Sequence, residues 1–104
     1  MSYKPITKSE IEAILSRELE ECPPFLKSVF VKYRVPLKKY ALERYGNFEE
    51  VFVAAINGSE VMYYEDVEEG WNFSPVSEGG VLLEHGCNQD ELKFALLHWS
   101  ANDS

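Results

Sequence analysis

Ile11, Ile14, Leu15 and Leu19 recur at helical spacing among Glu12, Arg17, Glu18 and Glu20, which gives an otherwise polar segment one apolar stripe. Thr7 and Glu10 stand three residues apart just ahead of it. In that pairing each side chain accepts from an orphan backbone N–H at a helix start. A first helix is therefore expected from this box up to Pro23 and Pro24, which stop it. Pro24 can itself open a second helix, because the donor it lacks would have no partner there. Phe25, Leu26, Val29, Phe30 and Tyr33 keep the helical period, so Pro24–Arg34 reads as helix, with strand the alternative for "SVFVKY". Pro36 closes the segment.

Beyond Pro36 the period shortens. "KYALERY" (residues 39–45) alternates, with Tyr40 and Leu42 on one face, and "EVFVAAI" (50–56) is a nearly continuous apolar strand. It meets "EVMYYED" (60–66) across Asn57-Gly58, a dipeptide suited to tight hairpins. "GWNFSPV" (70–76) reads as a further strand, residues 77–80 as a turn, and "VLLEH" (81–85) as a short fifth strand. The last stripe, Leu92, Ala95, Leu96 and Trp99, predicts a helix from about Asn88 to Trp99.

Two helices, an antiparallel meander of four or five strands and a C-terminal helix packed on the sheet make an α+β fold. Its alternation predicts one sheet face under the helices and the other partly open. With no repeat, low-complexity tract or linker, residues 1–104 read as one domain, a length that supports a core without a metal or disulfide staple.

Charge changes the picture. The net charge is −8, but residues 1–45 carry +3 and residues 46–104 carry −11, and no Lys or Arg lies between Glu60 and Glu91. Such asymmetry bears on partners rather than on fold. The basic run Lys27–Arg44 has interleaved aromatics, a composition that can hold phosphate backbones, yet the overall negative field disfavours nucleic acid. "MSYKPITKSE" has no apolar core of a secretory signal, and the longest apolar run, "VFVAAI", falls far short of a membrane span. The expected setting is the cytoplasm, with Cys22 and Cys87 as free thiols.

Candidate chemistry is sparse. "EHGCNQDE" (84–91) places Cys87 just before the predicted last helix, where the dipole favours a thiolate, and His85 or His98 could serve as its base. The same residues are explained by a turn at Gly86, an N-cap at Asn88 and Glu91 reaching back to it, and that reading is preferred. Two Cys and two His without ligand spacing predict no metal site and no cofactor. Glycine-rich phosphate loops and nucleophile elbows are missing from the sequence. The acidic run "YYEDVEEGWNF" lacks the order of a calcium loop. Its aromatics beside a charged rim instead suit a protein interface, so Tyr63, Tyr64, Glu65, Asp66, Glu68, Glu69, Trp71 and Phe73 are the expected binding residues. The leading expectation is a small acidic non-enzymatic module that binds a basic protein, such as a neutraliser of a basic toxin or nuclease. A homodimer through the open sheet face is a natural accompaniment. The alternatives are a thiol enzyme built on Cys87 and a small-ligand binder with Trp71, Tyr64 and Trp99 around a pocket.

Overall fold

A computed structural model describes residues 6–44, 46–65, 70–76, 80–83 and 91–100. The chain runs α1 (Lys8–Glu20), α2 (Pro24–Tyr33), β1 (Arg34–Arg44), β2 (Asn47–Asn57), β3 (Glu60–Glu65), β4 (Gly70–Pro75), β5 (Leu82–Leu83) and α3 (Leu92–Ser100). The α+β fold with an antiparallel meander and flanking helices is the one the periodicity predicts.

Helix α1 starts at the Thr7–Glu10 box, with both reciprocal bonds formed: the Glu10 N–H donates to Thr7 Oγ1 at 3.2 Å and the Thr7 N–H to Glu10 Oε1 at 3.0 Å. Helix α2 has proline in its first turn and ends without a loop. Arg34 is already extended, its N–H still bonded to the Phe30 carbonyl, and is also the first residue of β1. Val35 precedes a proline and is thereby biased to extended backbone, which explains the abrupt change. The strand thus begins earlier than the alternation implied, and its pairing with β2 slips between Arg34 and Lys38, around the proline that has no N–H to give. The β2–β3 hairpin pairs Asn57 with Glu60, so its two turn residues are Gly58 and Ser59, one position later than the Asn-Gly reading. Gly58 takes φ 64°, the left-handed value that mirror-image hairpin turns require at their first central residue.

The sheet order is β4-β3-β2-β1-β5. Strands β1 to β4 form the antiparallel meander, whereas β5 returns to the far edge and pairs in parallel with β1, Leu42 opposite Leu82. Leu82 also bridges Val76, immediately after β4. The two edges of the sheet therefore meet at Leu82, and the sheet curls around its own inner face. Leu42, Val51, Val53, Val61, Tyr63 and Leu82 pack in that interior. The outer face carries the larger core, in which Phe52, Ala54, Met62, Tyr64 and Trp71 pack under Ile11 and Leu15 of α1, Leu26, Val29 and Phe30 of α2, and Leu92, Ala95, Leu96 and Trp99 of α3.

This arrangement corrects the expectation of a partly open face. The alternation in β3 is apolar on both sides, Val61 and Tyr63 inward and Met62 and Tyr64 outward, so both faces need cover; curling supplies the second. A homodimer through an open face thereby loses its structural basis. Polar groups on the inward side of β4 are satisfied locally. Asn72 donates from Nδ2 to the Tyr63 hydroxyl at 3.1 Å, its Oδ1 accepts from the Phe73 N–H at 2.9 Å, and the Ser74 hydroxyl donates to the Pro75 carbonyl.

Helix α3 also departs from its expected bounds. It begins at Leu92, and the Glu91 carbonyl takes the first helical bonds from Phe94 and Ala95. Asn88 lies outside the described residues. The Leu92 N–H donates to the Glu18 carboxylate of α1, Oε1 at 2.7 Å, a cap supplied from 74 residues away.

Because one sheet lies between the two cores, they should fail together. Leu42→Ala, entirely within the inner core, is expected to cost about 2–5 kcal/mol. Both tryptophans report the outer core, so their fluorescence should shift its urea midpoint in step with far-UV circular dichroism. Two separated transitions would contradict a shared sheet.

Candidate functional site

The expected binding residues divide among three places. Tyr63 is in the inner core and Tyr64 and Trp71 are in the outer one, the two rings meeting edge to face at 5.0 Å. Trp71 is 0% exposed. Phe73 is partly exposed but packs on Trp99 and His98, with ring centroids at 5.1 and 4.6 Å. Glu65 is buried on β3. Asp66, Glu68 and Glu69 lie outside the described residues. Alternation across a two-faced sheet sends every one of these aromatics toward a core, so the expected exposed anchors are structural.

The thiol reading meets similar limits. His85 and Cys87 lie outside the described residues. His98 is exposed on α3, its Nε2 3.4 Å from Glu60 Oε1 and its ring against Phe73, which gives it a place in the attachment of that helix. Cys22 sits buried between α1 and α2, donating its S–H to the Glu18 carbonyl at 3.4 Å. Burial, chiefly, and the negative charge of Glu18 push its thiol above the ordinary value, the opposite of what a nucleophile needs. Among the described residues no three His, Cys, Asp or Glu side chains converge on a metal position. The pocket expected around Trp71, Tyr64 and Trp99 is filled by the packing of those rings, and the Trp99 indole is taken by Glu60.

What the fold does assemble is a groove of about 450 Å³ between α1 and the start of α3, lined by Ile14, Arg17, Glu18, Glu21, Tyr64 and Glu91. Helical spacing sets Ile14, Arg17, Glu18 and Glu21 along one side of α1, and the Glu18 cap draws Glu91 against them. Glu21 and Glu91 are exposed, Glu18 is half-buried, and the buried Tyr64 lines the groove. Three carboxylates and one guanidinium thus surround a partly apolar floor. The division of charge by sequence hid this cluster, because α1 belongs to the half with net positive charge. Glu18 reads as a polar position of the first helix, and only the tertiary contact with α3 brings Glu91 to it.

Elsewhere the described helices include none long and apolar enough to cross a membrane. Comparison with protein-family models, with curated proteins and with solved structures returns no match. The groove is accordingly read from its own chemistry.

The placement of Cys22 can be tested by its reactivity. Cys22 should resist iodoacetamide at neutral pH while the protein is folded and react only in denaturant, as followed by peptide mass spectrometry. Its labelling in the folded protein at the rate of a free thiol would overturn its placement.

Proposed function

We propose that the chain is a non-enzymatic binding module that docks a basic protein through the acidic groove between α1 and α3, in the manner of an inhibitor or neutraliser. The observation that carries this reading is the convergence of Glu18, Glu21 and Glu91 around Ile14 and Tyr64 in a groove open to solvent. A lysine or arginine side chain can lay its methylene stem on the apolar floor and its charge among the carboxylates. Net charge −8 supports the same direction, since a negative field raises the encounter rate with cationic partners.

Magnitude matters here. Exposed ion pairs contribute about 0–1 kcal/mol each, so Glu21 and Glu91 would supply orientation and on-rate more than affinity. Affinity would come from desolvating the partner's stem against Ile14 and Tyr64. The proposed setting is the cytoplasm, where thiols stay reduced without needing partners. Recovery of the protein from outside the cell membrane would contradict that setting.

A fluorescein-labelled oligo-arginine peptide gives the test by anisotropy at low ionic strength. Glu21→Lys with Glu91→Lys should weaken binding about tenfold. Glu49→Lys with Glu50→Lys, on exposed positions of β2, makes the same change in net charge and should weaken it much less. Equal losses would mean that net charge alone is being read and that the groove is not the site.

A further inference from the structure

Helices α2 and α3 are the exception to an acidic protein. Their sequences, PFLKSVFVKY and LKFALLHWS, contain no Asp or Glu, and they carry Lys27, Lys32 and Lys93. The two helices pack side by side, with Tyr33 edge-on to Trp99 at 5.3 Å, so their outward sides form one surface. Three large apolar side chains stand out from it: Phe25 is 56% exposed, Phe94 51% and Leu97 44%. Phe94 and Leu97 are one turn apart on α3. Phe25 lines a groove of about 380 Å³ between the helices, with Ser28, Val29 and Lys32 of α2 and Ser100 of α3.

The lysines border this apolar strip. Lys27 and Lys32 are exposed on α2, and Lys93 lies in the first turn of α3. Lys32 stands over the Tyr33 ring, and Lys93 over Phe94 at 5.4 Å with Glu91 3.8 Å from its Nζ. Aromatic anchors, an inter-helix groove and lysines at its border, among which Lys93 is paired with Glu91, are parts of a surface that receives an amphipathic helix.

We propose that the outward face of α2 and α3 docks an acidic amphipathic helix of a protein partner. Its apolar residues, at i, i+3 or i+4 and i+7, would meet Phe25, Leu97 and Phe94, and its carboxylates would meet Lys27 and Lys32 of α2. Charge complementarity selects this occupant. A second copy joined through the same face would set lysines against lysines, and an anionic membrane would have to attract a chain of net charge −8. The face shares α3 with the acidic groove, Lys93 standing beside Glu91, but its apolar strip faces away from α1, so the molecule would hold partners of opposite charge at two neighbouring sites.

The probe is a labelled helical peptide with leucine at i, i+3 and i+7 and glutamate elsewhere, titrated by anisotropy beside a scrambled peptide of the same composition and a lysine-for-glutamate counterpart. The helical acidic peptide should bind tightest. Phe25→Ala with Leu97→Ala should weaken it about tenfold, and Lys27→Glu with Lys32→Glu comparably. All four positions are exposed, and unchanged circular dichroism would confirm intact folding. Equal binding of scrambled or lysine peptides, or no effect of the variants, would overturn the proposal. So would a dimer in light scattering abolished by the Phe25/Leu97 variant, or equally variant-sensitive binding to phosphatidylserine vesicles in preference to the peptide.

Discussion

The attachment of α3 is the constraint on which the rest depends. Nine residues are too few for a helix to persist alone in water, so α3 owes its existence to what it packs against. Its stripe, Leu92, Ala95, Leu96 and Trp99, completes the outer core. Its ends are held by carboxylates from other elements: Glu18 takes the Leu92 N–H, and Glu60 takes the Trp99 indole N–H at 2.6 Å. Trp99 is the hub, touching Tyr33 of α2 and Phe73 of β4 while reaching Glu60 of β3. One side chain thus ties three elements to the helix. Without it the outer faces of β3 and β4 would be exposed to water, and both surfaces assigned to partners would lose one wall.

The curled sheet limits where binding can occur. With one face under the helices and the other closed on itself at Leu82, much of the sheet is covered, and its exposed part among the described residues is the hairpin end of β1 and β2, where Phe48, Glu49 and Glu50 stand out. The outer sides of the helices differ in charge. α1 carries Glu10, Glu12, Glu18 and Glu20 against Lys8 and Arg17 and gathers Glu91, whereas α2 and α3 carry lysines and His98 but no Asp or Glu. The +3 and −11 of the two sequence halves do not map onto this division, because folding brings the acidic helix of one half against the start of α3 in the other.

Much of the architecture was legible because local signals agreed with tertiary demands. The Thr7–Glu10 box, the double proline, the stripe on each helix and the glycine turn after Asn57 each determine a local conformation that packing then accepts. The parallel return of β5 was not legible: two residues carry no periodicity, and their pairing with Leu42 is a contact across about 40 positions. The start of α3 was missed for a related reason. A local cap at Asn88 with Glu91 satisfies every sequence rule, and nothing in the sequence signals that Glu18 will do that work. The aromatics misled most. Tyr63, Tyr64 and Trp71 are the residue types that interfaces favour, yet in a sheet with two cores alternation buries them all. Trp71 keeps an indole N–H without a hydrogen-bond partner among the described residues, evidence that packing rather than polar recognition holds it there.

If α3 is held as described, the Trp99–Glu60 contact must carry energy beyond the sum of its two side chains. A double-mutant cycle with Trp99→Phe, Glu60→Ala and the pair, followed by urea unfolding, measures that excess directly. A part-buried hydrogen bond to a carboxylate that is 37% exposed predicts a coupling of about 0.5–1.5 kcal/mol. Additive losses, with coupling near zero, would show that α3 is held by apolar contact alone and would contradict the central role given to this pair.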